Sequence, residues 1–243
     1  MERSNTYIFI YSIVLVVVVA AVLSVTSYVL KDKQENNVQR EKKQNILTSI
    51  HVTATTENVD ELYATYIVDS YVVDSKGTVS KTNDVTENNH TVSQNAFDVD
   101  LKEMYEKPLS ARKLPVFKAQ KDGEEYLIFP VRGKGLWGPI WGYVSVQQDF
   151  NTIYGATFDH QGETPGLGAE INKEKFASNF IGKQLFDENN NFTSIRVIKG
   201  GTENNIHAVD AISGGTITSV GVQNMIDTCF RNYATYLQSL TKQ

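Results

Sequence analysis

The sequence predicts an α+β protein in which a single N-terminal transmembrane helix precedes a mixed, largely antiparallel sheet domain with a C-terminal amphipathic helix. Three observations lead to this prediction. An uncharged apolar run fills Tyr7–Leu30, several strand-like segments follow Leu114, and apolar residues recur at helical spacing after Ser219. Runs of strands that feed a closing helix are typical of α+β domains.

The apolar run YIFIYSIVLVVVVAAVLSVTSYVL, Tyr7–Leu30, contains no charged residue. At ~1.5 Å per residue, a helix of this length spans the ~30 Å hydrocarbon core of a bilayer. Tyr7, Tyr11 and Tyr28 lie near its ends, where aromatic side chains meet the membrane interface. A cleaved signal peptide is the alternative, but its apolar region is usually about 7–15 residues long and precedes an A-x-A site. We therefore predict an uncleaved anchor over residues 1–30.

Residues 31–52 are polar with only a thin apolar stripe, which predicts a solvated helical stalk. The charges that flank the anchor bear on its orientation. Upstream, Arg3 is the only basic side chain, whereas several follow the anchor: Lys31, Lys33, Arg40, Lys42 and Lys43. Because cytoplasmic flanks usually carry more Lys and Arg, this count taken alone places the large domain in the cytoplasm.

The sequence predicts a polar insert with short strands over residues 53–115 and the main domain over residues 116–243. In the insert, YIVDSYVVDSKGTVS indicates strand pieces around a turn at Gly77. The polar stretch Ser80–Asn95 is predicted to be a loop. The strand candidates of the main domain are Glu125–Val131, Trp141–Val146, Thr152–Phe158 and Ser194–Ile198. A glycine-rich turn lies between the first two.

Composition and charge narrow the classes of function. The 243 residues carry a net charge of -5, which disfavours nucleic acid as a partner. The single cysteine, Cys229, excludes an intrachain disulfide framework, and its place on the apolar face of the last helix indicates a core residue. No metal site is predicted, because the histidines are scattered singly: His51, His90, His160 and His207.

The last helix is predicted from apolar residues three and four positions apart: Val222, Met225, Ile226, Cys229, Phe230, Tyr233, Leu237 and Leu240. Ser219 or Thr218 is the expected N-cap, since a short hydroxyl side chain satisfies free amides of the first turn. Thr216, which follows Gly214 and Gly215, has no such explanation. Glycines before a helix N-terminus favour a bound anion, because amides and the helix dipole point at it. An ordinary capped turn fits these residues equally well.

The segment DAISGGT, residues 210–216, resembles the flavinylation motif D-x-x-[S/T]-G-A-T of FMN-binding domains. In that family the last threonine is esterified to the phosphate of FMN, and Thr216 occupies its position. The preceding motif positions are matched by Asp210, Ser213 and Gly214. Gly215 departs from the pattern, which usually has alanine there.

Two further segments resemble the flavin-contacting loops of the same family. They are GKGLWGPIWG, residues 133–142, and GETPGLG, residues 162–168. Together with the N-terminal span and the insert, they make the whole chain resemble the C subunit family of sodium-translocating NADH:quinone oxidoreductases. The alternative is the G subunit family of the Rnf complex, which is generally shorter in the region of residues 53–115.

The resemblance implies a set of contacts to FMN. Thr216 would carry the phosphate ester, with Ser213, Gly214, Gly215 and Asp210 as the rest of the motif. The loop Glu163–Gly168 would contribute hydrogen bonds from Glu163 and Thr164, packing from Leu167, and the glycines Gly166 and Gly168. Leu136 and Trp137 would pack against the ring, and Lys199 would offset negative charge. The plain alternative is that Trp137 and Leu167 belong to the core and that Lys199 is solvated.

The resemblance also implies a function. Such a chain relays electrons between an iron centre and a second flavin in partner subunits of a sodium-pumping, quinone-reducing assembly of six subunits. NADH oxidation is expected in a partner, since this chain shows no NADH-binding fingerprint. A flavin transferase attaches FMN from FAD, and the flavin domain lies on the periplasmic side of the inner membrane, in conflict with the charge count. A membrane-tethered binding module with an unmodified Thr216 is the third reading.

Overall fold

The chain begins with one long helix, α1, Asn5–Ser49. A computed structural model describes residues 5–87 and 90–241, so Arg3 of the charge count lies outside the described residues. By length and composition, α1 is able to cross a membrane. The predicted stalk is helical and continues from the anchor without a break as far as Ser49. Contacts divide the described chain into two compact units, one ending at Lys42 and the other beginning at Lys43.

The second unit is built on a six-stranded antiparallel sheet with the strand order β2-β1-β5-β6-β7-β8. These strands are β1 Ile67–Asp74, β2 Val79–Ser80, β5 Lys113–Lys121, β6 Glu124–Lys134, β7 Pro139–Val146 and β8 Ile153–His160. Two smaller pairs are the antiparallel β3 Thr82–Glu87 with β4 His90–Asn95 and the parallel β9 Arg196–Ile198 with β10 Ala208–Asp210. The remaining α-helices are α2 Val59–Tyr66, α3 Leu101–Glu106, α4 Glu174–Ala177 and α5 Thr216–Leu240. Single 3-10 turns cover Ala96–Asp98, Leu109–Ala111, Gly168–Asn172 and Ser178–Phe180.

Both faces of the large sheet are buried. On β6, Leu127 and Phe129 belong to one apolar cluster, and the intervening Ile128 belongs to another. The first cluster contains the apolar face of α5, including Phe230, and the second contains Ile46 from the end of α1. Because successive strand residues point to opposite faces, the segment YLIFPV, residues 126–131, is an unbroken apolar run rather than an alternating one.

The prediction of a loop over Ser80–Asn95 was wrong for the part of that stretch that the structure describes. Thr82–Glu87 pairs with His90–Asn95 as a hairpin in continuous register. The stretch is polar enough for a loop, but its threonines and valines are also common in strands, and pairing satisfies their backbone groups. The segment between residues 53 and 115 also supplies β1, which pairs with β5 of the main sheet. Division of the chain at residues 30, 52 and 115 stays a prediction.

The segment GKGLWG, residues 133–138, has the spacing G-x-G-x-x-G but connects two antiparallel strands, β6 and β7. A dinucleotide-binding loop instead leads from a strand into a helix. The topology therefore gives this segment the role of a hairpin turn, in which the Gly135 amide donates to the Gly138 carbonyl at 2.8 Å.

The start of α5 differs from the prediction. The helix begins at Thr216, its N-cap is Gly215, and no side chain caps it, so the assignment of Ser219 or Thr218 as N-cap was wrong. Both hydroxyls are buried within the helix and bond elsewhere. Thr218 donates to the Glu163 carboxyl group, and Ser219 accepts from the Ile212 amide. These two hydroxyls therefore bond to groups outside the first turn of α5 instead of capping its free amides, and the local sequence does not reveal those partners.

The prediction for Cys229 is confirmed. Its thiol is free, fully buried and hydrogen-bonded to the backbone of Arg132 in β6. Burial raises the pKa of the Cys229 thiol to about 11. Because the thiolate is the reactive form, this cysteine is an inert core residue at neutral pH.

Candidate functional site

A cleft of about 240 Å³ lies at the N-terminal end of α5. The three sequence motifs, far apart in the chain, meet around it. The hairpin turn between β6 and β7 supplies one wall, the loop after β8 supplies another, and the start of α5 forms the third. The residues that line this cleft are Leu136, Glu163, Thr164, Leu167, Gly168, Gly214, Gly215, Thr216, Ile217 and Thr218.

Two glycines bring the helix start close to the neighbouring loop. Gly214 has φ +75°, a left-handed conformation that side chains disfavour. A Cβ atom on Gly214 would lie 2.6 Å from Leu167 Cδ2, and one on Gly215 would lie 3.1 Å from the Leu167 carbonyl oxygen. The backbone at these two glycines therefore packs directly against Leu167, and no side chain from either position occupies the cleft.

The first turn of α5 leaves its amides available to a ligand. The Ser219 amide donates to the Gly215 carbonyl at 2.9 Å, which is the first bond of the helix. The amides of Thr216, Ile217 and Thr218 precede that bond, and no side chain caps this end. Free amides and the positive end of the helix dipole together favour a phosphate or another anion.

The Glu163 carboxyl group connects two walls of the cleft. Its side chain is buried, and each oxygen accepts one bond. Oε1 accepts from the Trp137 amide at 2.9 Å, and Oε2 accepts from Thr218 Oγ1 at 2.5 Å. Gly135 and Gly168 have no room for a Cβ atom, since each would lie 2.5 Å from a Glu163 oxygen. Glu163 thus fixes the hairpin turn to the helix.

The loop after β8 has the geometry of a tight turn that opens into the 3-10 turn Gly168–Asn172. The Thr164 carbonyl accepts from the amides of Leu167 and Ala169, both at 3.1 Å. Gly166 takes φ +74°, and its amide donates to Glu170 Oε1 at 3.1 Å. These bonds leave the Thr164 side chain exposed at the cleft.

Exposed apolar side chains surround the cleft. Leu136 is 46% exposed, Trp137 69%, Leu167 42% and Ile217 60%. The alternative in which Trp137 and Leu167 belong to the core does not hold, because neither is buried. Apolar side chains gathered at the rim of a concavity are typical of a surface that a ligand or partner covers.

Several residues of the predicted site lie off the cleft wall. Asp210, at the end of β10, accepts from the amide and hydroxyl of Thr202, the latter at 2.6 Å, and so holds the preceding loop. Lys199 lies exposed in that loop. Asp210 and Lys199 do not line the cleft, and the same holds for Ser213, Gly166 and Trp137. Trp137 nevertheless adjoins Leu136, and its amide donates a hydrogen bond to Glu163.

Sequence reasoning missed Ile217 and misassigned Thr218. Ile217 lies on the outer, polar face of α5, where Asn224, Thr228 and Arg231 follow at helical spacing. An isoleucine on that face departs from the amphipathic pattern, and this departure was the available signal. For Thr218 no such signal exists, since its partner Glu163 is 55 residues away.

Comparisons with known proteins agree with this geometry. Residues 135–231 match the model of the FMN-binding domain, which covers all three walls of the cleft. Over 216 residues the chain is 33% identical to the C subunit of the Na(+)-translocating NADH-quinone reductase of Vibrio vulnificus strain YJ016, with 86% of this chain and 84% of that protein covered.

Two solved structures are similar as well. The crystal structure of the C subunit of the Na(+)-translocating NADH-quinone reductase from Parabacteroides distasonis superposes with a TM-score of 0.74 at 39% identity, covering 86% of this chain and 96% of that one. The crystal structure of Shewanella oneidensis NqrC gives a TM-score of 0.69 at 30% identity, covering 85% and 100%.

Proposed function

Because the chain belongs to the family of C subunits of Na(+)-translocating NADH-quinone reductases, we propose that it carries FMN covalently on Thr216 and relays electrons inside such a complex. The observation that carries this proposal is the meeting of the three motif segments at one cleft, with Thr216 as the first residue of the helix that opens onto it. The family makes the chain a membrane-associated flavoprotein. The attachment residue is inferred from the motif that Thr216 matches and from the place of Thr216 at the cleft.

The residues present fit the phosphate end of FMN. Thr216 is exposed on the cleft, and the uncapped first turn of α5 offers amide donors beside it. Gly214 and Gly215 keep side chains away from this position. A phosphate diester retains one negative charge, which the helix dipole stabilises. Lys199 is assigned a weaker, long-range role, because it is exposed and off the cleft wall.

Attachment needs only the Thr216 hydroxyl from this chain. The hydroxyl loses its proton and gains a bond to phosphorus, while AMP leaves from the FAD donor. Among the described residues that line the cleft there is no Lys, Arg or His, and the one carboxyl group, that of Glu163, is buried and already accepts two hydrogen bonds. We therefore assign activation of the hydroxyl to a separate flavin transferase.

The apolar rim fits the ring end of FMN. Leu136, Trp137, Leu167 and Ile217 give a flat aromatic ring an apolar contact surface on two sides. The Thr164 hydroxyl is the free polar group beside them. Glu163, whose two oxygens are already engaged, acts by holding the turn and the helix in place.

FMN supplies the chemistry when bound, since its isoalloxazine accepts one or two electrons. This chain orients the ring and, through the ester, prevents its loss. We assign the remaining steps to partner subunits in an assembly of six: NADH oxidation, an iron centre and a second flavin on either side of this carrier, quinone reduction and sodium transport. The quinone is proposed to be ubiquinone.

The anchor α1 holds the chain in the membrane, which we propose to be the inner membrane with the flavin domain on the periplasmic side. The basic residues after the anchor favour the opposite orientation when counted alone. Maturation by a flavin transferase outside the cytoplasm supports the periplasmic side, and helices of partner subunits are able to override a charge bias.

The experiment that tests the proposal is mass spectrometry of the peptide Asp210–Arg231 from native membranes. Covalent FMN adds the mass of FMN less one water to this peptide, and fragmentation places the addition on Thr216. An unmodified peptide, together with a gel band that does not fluoresce after denaturation, would instead support a tethered binding module. Co-purification of five further subunits tests the assignment to the complex.

A further inference from the structure

A second cavity of about 460 Å³ lies between α3, the end of β6 and the outer face of α5. We call it the basic cavity. Its walls carry a single carboxyl group, that of Glu106, against four cationic side chains: Lys102, Arg112, Arg132 and Lys134. This excess of positive charge occurs in a chain whose net charge is -5.

The positive charge of the basic cavity is not neutralised by ion pairs. In the described part of the chain, no ion pair joins Lys102, Arg112, Arg132 or Lys134 to an acidic side chain. Like charges that converge on one concavity repel each other, and the potential they create concentrates anions there. A bound anion would remove that repulsion.

Arg112 is held rigidly in the wall. Its guanidinium donates to the carbonyls of Lys107 and Tyr105 at 3.0 and 3.1 Å and to Asn232 Oδ1 at 3.0 Å. It also lies 5.4 Å from the centre of the Tyr105 ring. A guanidinium fixed in this way loses little conformational entropy when it binds an anion.

Two glycines lie where strand β6 and helix α5 meet at the basic cavity. A Cβ atom on Gly133 would lie 2.7 Å from Met225 Cβ, and one on Gly221 would lie 2.6 Å from the Lys134 carbonyl oxygen. Strand β6 and helix α5 therefore approach closely, and no side chain from either glycine fills the space between the cationic walls.

We propose that the basic cavity binds a phosphate group, carried either by a phosphorylated small molecule or by a phospholipid head group. Arginine and lysine on several walls of one concavity match the tetrahedral array of phosphate oxygens. The volume lies within the ~300–1,000 Å³ range of small-ligand sites. The site is separate from the cleft at the start of α5, which we call the flavin cleft, because the two share no lining residue. All four cations also lie outside residues 135–231, which match the FMN-binding domain.

The test is isothermal titration calorimetry on the full chain in neutral detergent, at fixed ionic strength. Inorganic pyrophosphate probes the soluble source, and dioctanoylphosphatidylglycerol probes the lipid source. The variants are Lys102→Gln and Arg132→Gln, and Lys175→Gln removes the same charge from an exposed position in α4 as a matched control. Unchanged thermal unfolding establishes that each variant is folded.

Saturable binding that weakens about tenfold or more in Lys102→Gln and Arg132→Gln, and not in Lys175→Gln, supports the site. The probe that gives this pattern identifies the source of the phosphate. Absence of saturable binding for both probes overturns the proposal. So does a loss of the same size in the Lys175→Gln control, since that would reflect only the overall charge.

Discussion

At the scale of single residues, two side chains of the flavin cleft have distinct duties. Thr216 is exposed and free of packing constraints, as a covalent attachment point requires. Glu163 is buried and bonded to two elements, as a positioning residue requires. Their variants should therefore fail in different ways.

Replacement of Thr216 by alanine should abolish covalent flavin and leave the domain folded, because an exposed hydroxyl contributes little to the core. Thr216→Ser is the matched control, since it keeps a hydroxyl at the same position. The measurement is flavin fluorescence of the denatured protein, with thermal unfolding in parallel. A fluorescent denatured Thr216→Ala protein would move the attachment site elsewhere.

Replacement of Glu163 by alanine should destabilise the protein by about 1–3 kcal/mol, because the Trp137 amide and the Thr218 hydroxyl then lose their acceptor. Chemical denaturation measures this loss. Glu170→Ala, at a less buried acceptor, is the matched control and should cost less.

Thr218→Val tests the same hydrogen bond from the other side. Because the two groups are in contact, the double variant with Glu163→Ala should cost less than the sum of the single variants. Additive costs would show that this bond does not couple the helix to the loop.

At the scale of elements, the start of α5 depends on the backbone of two adjacent glycines. Gly214 has φ +75°, whereas Gly215 has φ -102°, which any residue adopts. The family motif usually has alanine at the second position. The nearest atoms to a Cβ there are Ile212 Cγ2 at 3.0 Å and the backbone of Leu167 at 3.1 Å, so the loop must give by a few tenths of an ångström.

Gly214→Ala should therefore cost about 1 kcal/mol or more and reduce flavin attachment, since both the positive φ and the Leu167 side chain oppose it. Gly215→Ala should cost less and retain the flavin. Thermal unfolding and denatured-gel fluorescence give both readouts. A reversed order of the two variants would contradict the backbone geometry described for this turn.

At the scale of the whole molecule, the anchor raises the question of which side of the membrane holds the flavin domain. Cys229 makes a clean topology experiment possible, because burial and a pKa of about 11 keep it unreactive near neutral pH. Because burial stabilises the neutral thiol, Cys229 makes its full contribution to the stability of the folded state at any pH below the ordinary pKa of a cysteine. That contribution falls as the pH rises towards 11, so labelling belongs near pH 7.

A cysteine introduced as Glu188→Cys, at an exposed position, should react with a membrane-impermeant maleimide in intact spheroplasts. The expected result follows from the proposed placement of the flavin domain on the periplasmic side. The unsubstituted chain is the control and should stay unlabelled. Reaction of Glu188→Cys only after lysis would favour the orientation indicated by the basic residues after the anchor.

The anchor, the closing helix and most strands of the main sheet could be predicted from the amino-acid sequence alone. They follow from local patterns: an uncharged run of membrane length, apolar residues at helical spacing in α5, and the apolar segments that became β6 and β7. The motifs around Thr216, Glu163 and Leu136 could also be named from the sequence, through resemblance to a family.

How those motifs work together depends on tertiary contacts that no local pattern reveals. The fold places Thr218 on Glu163 instead of at the helix cap, and it pairs Thr82–Glu87 with His90–Asn95. It also holds Asp210 against Thr202, away from the cleft wall. It also brings together residues of α3, β6 and α5 to form the basic cavity. In each case the deciding partner is remote in sequence or competes with an equally plausible local structure, and a local pattern carries no information about which contact has the lower free energy.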